Sequence, residues 1–128
     1  MGGSVRSYRD LDVWQLGMGI AEAACRLTGD FPQYQQYALG SQLQRAAISV
    51  PANIAEGHGR DSTKQYLYHV SVARGSLCET ETHLMLAERL GYGDRREIGR
   101  ILGECDRVGR MLSSLQKSLR AKLSPPFP

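Results

Sequence analysis

No stretch of the chain approaches the roughly 20 consecutive apolar residues that span a bilayer, and Met1-Gly2-Gly3-Ser4-Val5-Arg6 contains no apolar signal region. Position six is Arg, where N-myristoylation would want Ser or Thr. A cytoplasmic location is expected. Cysteine is scarce. Cys25, Cys78 and Cys105 are odd in number, far apart and set within helical patterns, which leaves neither a disulfide framework nor a C-x-x-C metal or redox motif. Reduced, buried thiols are the expectation. The period-2 alternation of a half-buried strand is missing, as are a Gly-rich phosphate loop and a G-x-S-x-G elbow. Metal sites in helical bundles need inward carboxylates and Glu-x-x-His pairs from several helices. Here Glu79 and His83 stand at i and i+4 without a second such pair, and His58 and His69 are expected in a loop and at the surface. No catalytic residue, cofactor or metal ligand is assigned, and a non-enzyme is expected.

Charge of one sign is also lacking. The 128 residues carry 16 Lys and Arg against 13 Asp and Glu, a net charge of +3, so bulk composition does not mark a nucleic-acid binder. The distribution says more. Between Arg107 and Lys122 lie Arg107, Arg110, Lys117, Arg120 and Lys122 with no acidic residue. The length suits one domain with a real hydrophobic core.

What is present is helical periodicity. Leu39, Leu43, Ala47, Val50 and Ile54 recur at intervals of three and four on both sides of Pro51, so a helix is expected to run through the proline. Pro51 cannot give an N–H to the carbonyl of Ala47, a cost of roughly 3 kcal/mol unless neighbours compensate. Four helices are predicted, at about 10–29, 36–56, 62–91 and 94–121, within a bundle spanning 10–122. A short extension (1–9) precedes it and a Pro-rich tail (123–128) follows. Asp10 is expected to cap the first helix and Gly57 or Gly59 to end the second in the left-handed conformation. Ser62 and Gln65 form a capping-box pattern at the start of the third, whose interior Gly75 is read as a close helix crossing. Ile98, Ile101, Cys105, Val108, Leu112, Leu115 and Leu119 form a three-four seam along the fourth. Helices of this length with short links predict an all-α, elongated, antiparallel up-down-up-down bundle.

The first helix carries two apolar stripes. Val13, Gly17, Ile20, Ala24 and Leu27 form one; Trp14, Met18, Ala21 and Cys25 form the other. The second stripe either faces a partner subunit or belongs to one broad internal face. A polar line, Gln42, Arg45, Ser49, Asn53 and Glu56, follows the second helix. It is either a recognition face or, the better reading, a set in which Arg45, Ser49, Asn53 and Glu56 satisfy one another and the backbone freed by Pro51. On the fourth helix Arg96, Arg100, Arg107, Arg110 and Lys117 point away from the apolar seam. Such a stripe can follow a phosphate backbone, although Glu97, Glu104 and Asp106 lie close enough to neutralise part of it and no aromatics interleave it.

Several segments together resemble one family: Tyr8-Arg9-Asp10-Leu11 through Val13-Trp14-Gln15, Phe31-Pro32, Tyr37 through Leu39, Ser41-Gln42 and Arg45-Ala46-Ala47. Ser49, Pro51, Asn53-Ile54-Ala55-Glu56-Gly57, Gly59-Arg60, Gly75-Ser76 with Glu79, and Leu90-Gly91-Tyr92 continue the match. The chain resembles the four-helix-bundle family of 23S rRNA intervening-sequence proteins, which includes the accessory variability proteins of diversity-generating retroelements. The resemblance implies a bacterial, cytosolic, ring-like homopentamer with no known catalytic reaction. Its motif residues Arg45, Ser49, Pro51, Asn53, Glu56, Gly57, Gly59 and Arg60 shape the second helix and its turn.

Two functions are therefore expected in competition. In the first, a homopentameric, non-enzymatic module binds RNA or DNA with weak sequence preference through Arg96, Arg100, Arg107, Arg110 and Lys117, and Trp14, Met18, Ala21 and Cys25 lie at the subunit interface. In the second, a homo-oligomeric scaffold docks a protein such as a reverse transcriptase and its charges serve solubility.

Overall fold

A computed structural model describes residues 5–123, and all regular structure among them is helical. Four long helices carry the fold: α1 (Asp12–Thr28), α2 (Ser41–His58), α3 (Thr63–Leu90) and α4 (Arg95–Leu123). The predicted tail lies, beyond Leu123, outside the described residues.

Each helix packs against two others, α1 on α2 and α4, and α3 on α2 and α4. Between α2 and α3, Ser49 meets Ser76 and Asn53 meets His69. Between α3 and α4, Arg74 meets Gln116 and Glu88 meets Arg95. Gln44 of α2 donates to Thr28 near the end of α1, while Pro51 lies beside Gly17. One core results, with Ile20, Leu43, Val50, Ile54, Val70, Leu84, Ile98, Ile101 and Leu112 closed to solvent. Packing of these faces, more than intrinsic propensity, holds such helices together.

Three boundaries differ from the expectation. Asp10 does not cap α1. It sits in a short 3-10 turn (Tyr8–Asp10), where its Oδ2 accepts the amides of Arg6 and Ser7 at 2.9 and 3.3 Å, so α1 starts two residues later. Residues Gln36–Gly40, expected as α-helix, form a π-helical segment after one turn at Gln33–Gln35. The wider turn leaves both Leu39 and Gly40 buried while Tyr37 and Ala38 stay exposed. α2 runs through Gly57 to His58, and Gly59 stays right-handed at φ −80°. Gly57 is therefore an interior residue: a Cβ there would stand 2.7 Å from the His69 Cβ and 3.1 Å from the Tyr66 ring. Left-handed glycines occur instead at Gly91 (φ 74°) and Gly93 (φ 77°), between α3 and α4.

Gly75 is not at a helix crossing either. It is exposed, and nothing would meet a Cβ there within 4 Å. The close contact belongs to its neighbour Ser76, buried against α2. On α4 the seam slips by one residue near its end: Leu115 is half-buried and Gln116 takes the buried position between Leu112 and Leu119. A straight helix of 3.6 residues per turn drifts against a strict seven-residue repeat, and the drift brings Gln116 inward. Its amide is satisfied there, accepting from Arg74 Nη1 at 2.9 Å and donating to Ser71 Oγ at 3.0 Å. Ser62 caps α3 as expected, its hydroxyl accepting the amide of Gln65 at 3.0 Å.

Candidate interaction surfaces

Three arrangements come from residues singled out in the sequence: a polar network inside the α2–α3 contact, an apolar groove between α1 and α2, and the outer face of α4.

The network begins at Ser49, two residues before Pro51. Asn53 Nδ2 donates to both the Ser49 carbonyl and its hydroxyl at 2.9 Å, and Ser76 Oγ donates to the same hydroxyl at 2.8 Å. Asn53 Oδ1 lies 3.1 Å from His69 Nδ1, and on the far side of that ring Nε2 stands 3.8 Å from Glu56 Oε2. Arg60 closes the chain with a short, charge-assisted bond to the same carboxylate oxygen. That bond, followed by the charge of His69, holds the Glu56 carboxyl below its ordinary pKa. Ser49, Asn53, Glu56 and Arg60 thus form one built unit, with Gly57 leaving room for His69. Arg45 is not part of it. Its side chain is exposed, and among the described residues no hydrogen bond or ion pair ties it to the line. The two histidines also depart from the expectation: His69 is only 13% exposed inside the network, and His58 ends α2 with its ring edge-on to Tyr66.

The two stripes of α1 separate except at Ala21, which reaches the core while also lining the groove. Val13, Gly17, Ile20, Ala24 and Leu27 are buried in the core. Trp14, Met18, Ala21 and Cys25 line an open groove whose other wall is Ile48, Pro51, Ala52 and Ala55 of α2. Ala21 is nearly covered, Trp14 and Cys25 are half-buried, while Met18 and Ile48 remain 46% and 50% exposed. Burial raises the Cys25 thiol above its ordinary pKa.

On α4, Arg96, Arg100, Arg107, Arg110 and Lys117 are all exposed on the side away from Ile98, Ile101, Cys105, Val108 and Leu112. They are not equivalent. Arg100 is paired with Glu97 at 2.6 Å and Arg110 with Asp106 at 3.2 Å. Glu104 turns inward and has a buried oxygen, Oε2, without a hydrogen-bond partner. Among the described residues no three His, Cys, Asp or Glu side chains gather as metal ligands, and no helix is long and apolar enough to cross a membrane.

The model of the 23S rRNA-intervening sequence protein family matches residues 9–114, which contain the network, the groove and most of the basic face. The chain belongs to this family. A crystal structure from Bacteroides thetaiotaomicron, described as a protein of unknown function from the S23 ribosomal protein family, superposes with a TM-score of 0.76 at 23% identity. The match covers 82% of this chain and 98% of that one, and at that identity it speaks for the fold alone. No curated protein matches the sequence.

For a member of the intervening-sequence family, the segment Asn53-Ile54-Ala55-Glu56-Gly57 has a physical explanation in the α2–α3 contact. Sequence reasoning missed His69 and Ser76, which complete that unit from α3. His69 stands sixteen residues from Asn53, so no local periodicity joins them; a histidine next to the buried Val70 on a helix that must meet α2 was the available signal. Gln116 was missed because a polar residue beside a leucine seam reads as surface.

Proposed function

We propose that this member of the intervening-sequence family is a homo-oligomeric, non-enzymatic module that binds RNA or DNA with weak sequence preference. The observation that carries the reading is the outer face of α4, where five cationic side chains lie exposed along one helix opposite the core. A cationic line of this kind neutralises phosphates and releases counterions, which gives affinity without base readout.

Assembly is part of the same reading. The residue pairs between helices support an up-down-up-down antiparallel bundle, and its α1–α2 groove offers an apolar surface with Glu22 as its one carboxylate. Such a groove suits a second copy of the chain better than a charged ligand. Met85 and Leu86 on α3, 48% and 44% exposed, supply a complementary apolar ridge. Groove on one helix pair and ridge on another make a heterologous contact, the type that closes into rings such as a pentamer. Five chains at +3 each would carry +15, so weak patches would act together.

The test is fluorescence anisotropy of nuclease-treated protein with generic single- and double-stranded RNA and DNA across salt concentration. Affinity that falls steeply with salt supports the reading; no binding at low salt removes it. A second reading, a protein-docking scaffold, is favoured by the pairing of Arg100 and Arg110 with acidic neighbours, which weakens the stripe. Nuclease-treated pull-downs that recover one protein stoichiometrically would support that alternative.

A further inference from the structure

The connections at 29–40 and 91–94 come together at one end of the fold, where Tyr34 meets Tyr92 and Tyr37 follows one turn further along the first connection. Tyr92 is wedged between the left-handed Gly91 and Gly93; its ring lies 5.8 Å from Phe31, and its hydroxyl is 3.2 Å from that of Tyr34. A Cβ on Gly93 would stand 2.9 Å from Leu27, so the turn that holds Tyr92 is pressed onto the core. Tyr34 and Tyr37 project from the other connection and are 72% and 86% exposed, the most exposed large side chains of apolar character among the described residues. Tyr37 sits in the π-helical segment, a rare geometry that recurs at functional sites. Exposed aromatic rings cost hydration free energy that folding does not recover.

Cations adjoin this corner. α4 begins three residues after Tyr92 with Arg95, whose side chain is 87% exposed, and Arg96, the first member of the basic line. The acidic groups nearby are partly engaged: Asp94 Oδ1 accepts the amide of Arg96 at 2.9 Å, and Glu88 lies 3.7 Å from Arg95. Aromatic planes beside a cationic track are the two parts of a single-strand binding surface, stacking for bases and charge for phosphates. The α4 sequence holds no interleaved aromatic; the fold supplies them from another connection.

We infer that the Tyr34–Tyr37 corner is a stacking platform for unpaired bases of single-stranded nucleic acid, whose backbone continues onto α4 from Arg96. This rests on the nucleic-acid reading above. Stacking explains why the rings are held out in solvent, and it gives the module a preference for single strands over duplexes.

The experiment compares the full-length wild type with Tyr34→Ala/Tyr37→Ala and Tyr34→Phe/Tyr37→Phe, titrated with labelled oligo-U, oligo-dT and a matched duplex at fixed salt. The alanine pair is expected to lose on the order of tenfold or more in single-strand affinity with duplex affinity changed less than threefold, and the phenylalanine pair to bind like wild type. Should the alanine pair lose its helical circular dichroism, Tyr37→Ala alone replaces it, since that ring is 86% exposed. Equal loss for single strands and duplex, or no loss at all, would overturn the platform while leaving the basic face standing. A wild type that binds none of the probes would overturn the nucleic-acid reading itself. Comparable loss on oligo-U and oligo-dT identifies base stacking; loss on oligo-U alone overturns it in favour of a 2′-hydroxyl contact.

Discussion

Asn53 Oδ1 lies 3.1 Å from His69 Nδ1, at the centre of the contacts that join the polar line of α2 to α3. Through it a segment whose better sequence reading is structural becomes the inner lining of a helix–helix contact, with Arg45 left outside. Asn53 Nδ2 also donates to the Ser49 carbonyl, so its side chain bridges Pro51 from two residues after it to two residues before.

Two glycines, one inside the α2–α3 contact and one outside it, are opposite in consequence. Gly57→Ala places a methyl 2.7 Å from the His69 Cβ and should destabilise the fold by about 1–3 kcal/mol, as overpacking does. Gly75→Ala enters open space on an exposed turn of α3 and should stabilise by about 0.5–1 kcal/mol. Urea midpoints of the two variants, at unchanged slope, check both signs.

How much of this was legible in the sequence follows from the range of each signal. Helix existence, the run through Pro51, the Ser62 cap and the core stripe of α1 rest on spacings of three and four, and the structure has them. The family was carried by residues on several elements and matches 9–114. Gly57 and Gly75 were misread and Gln116 missed because a glycine or glutamine has no periodic signature that separates a turn, a crossing and an interior position. Only the partner helix decides, as His69 does for Gly57 and Arg74 for Gln116. The tyrosine corner was illegible for the same reason: Tyr34 and Tyr92 are 58 residues apart.

Acid should loosen the α2–α3 contact. The Arg60 bond, with His69 behind it, lowers the Glu56 pKa in the folded state, so its contribution is present above about pH 4.5 and is lost as pH falls through the lowered value. Glu56→Gln should therefore be less stable than wild type at neutral pH and converge with it in acid. Parallel thermal melts from pH 7 to pH 3 measure this, and a constant gap between the two curves would refute it.

The three thiols should react in sequence. Cys78 is exposed, Cys25 is half-buried in the groove, and Cys105 is buried, its pKa pushed up to about 12 by burial first and by Glu81 and Glu104 next. Ellman's reagent at pH 8 should label Cys78 quickly and Cys105 only on unfolding. Cys25 reports assembly: if a second copy covers the groove, its labelling slows as protein concentration rises. Met18→Glu, which places a charge at a 46% exposed site, should abolish that dependence and lower the mass seen by light scattering without unfolding the chain.

The five cations of α4 should divide into two groups. Among the described residues no acidic side chain forms an ion pair with Arg96, Arg107 or Lys117, so each can meet a phosphate without first giving up a partner within the protein. Replacing all three by glutamine should weaken binding for every sequence alike and reduce the slope of log K against log salt by about 2–3, near 0.7–0.9 for each lost phosphate contact. Arg100 and Arg110 are already paired with Glu97 and Asp106. A phosphate must compete with those carboxylates, so the native pairs add little to the slope. Their replacement leaves Glu97 and Asp106 uncompensated beside the strand, and like-charge repulsion should then lower affinity even though few counterions are involved. The triple and the pair are thus separable in one salt titration: a loss of slope marks direct phosphate contact, and a loss of affinity at constant slope marks an unmasked carboxylate. If all five arginine and lysine positions changed the slope equally, the ion pairs would have to open on binding.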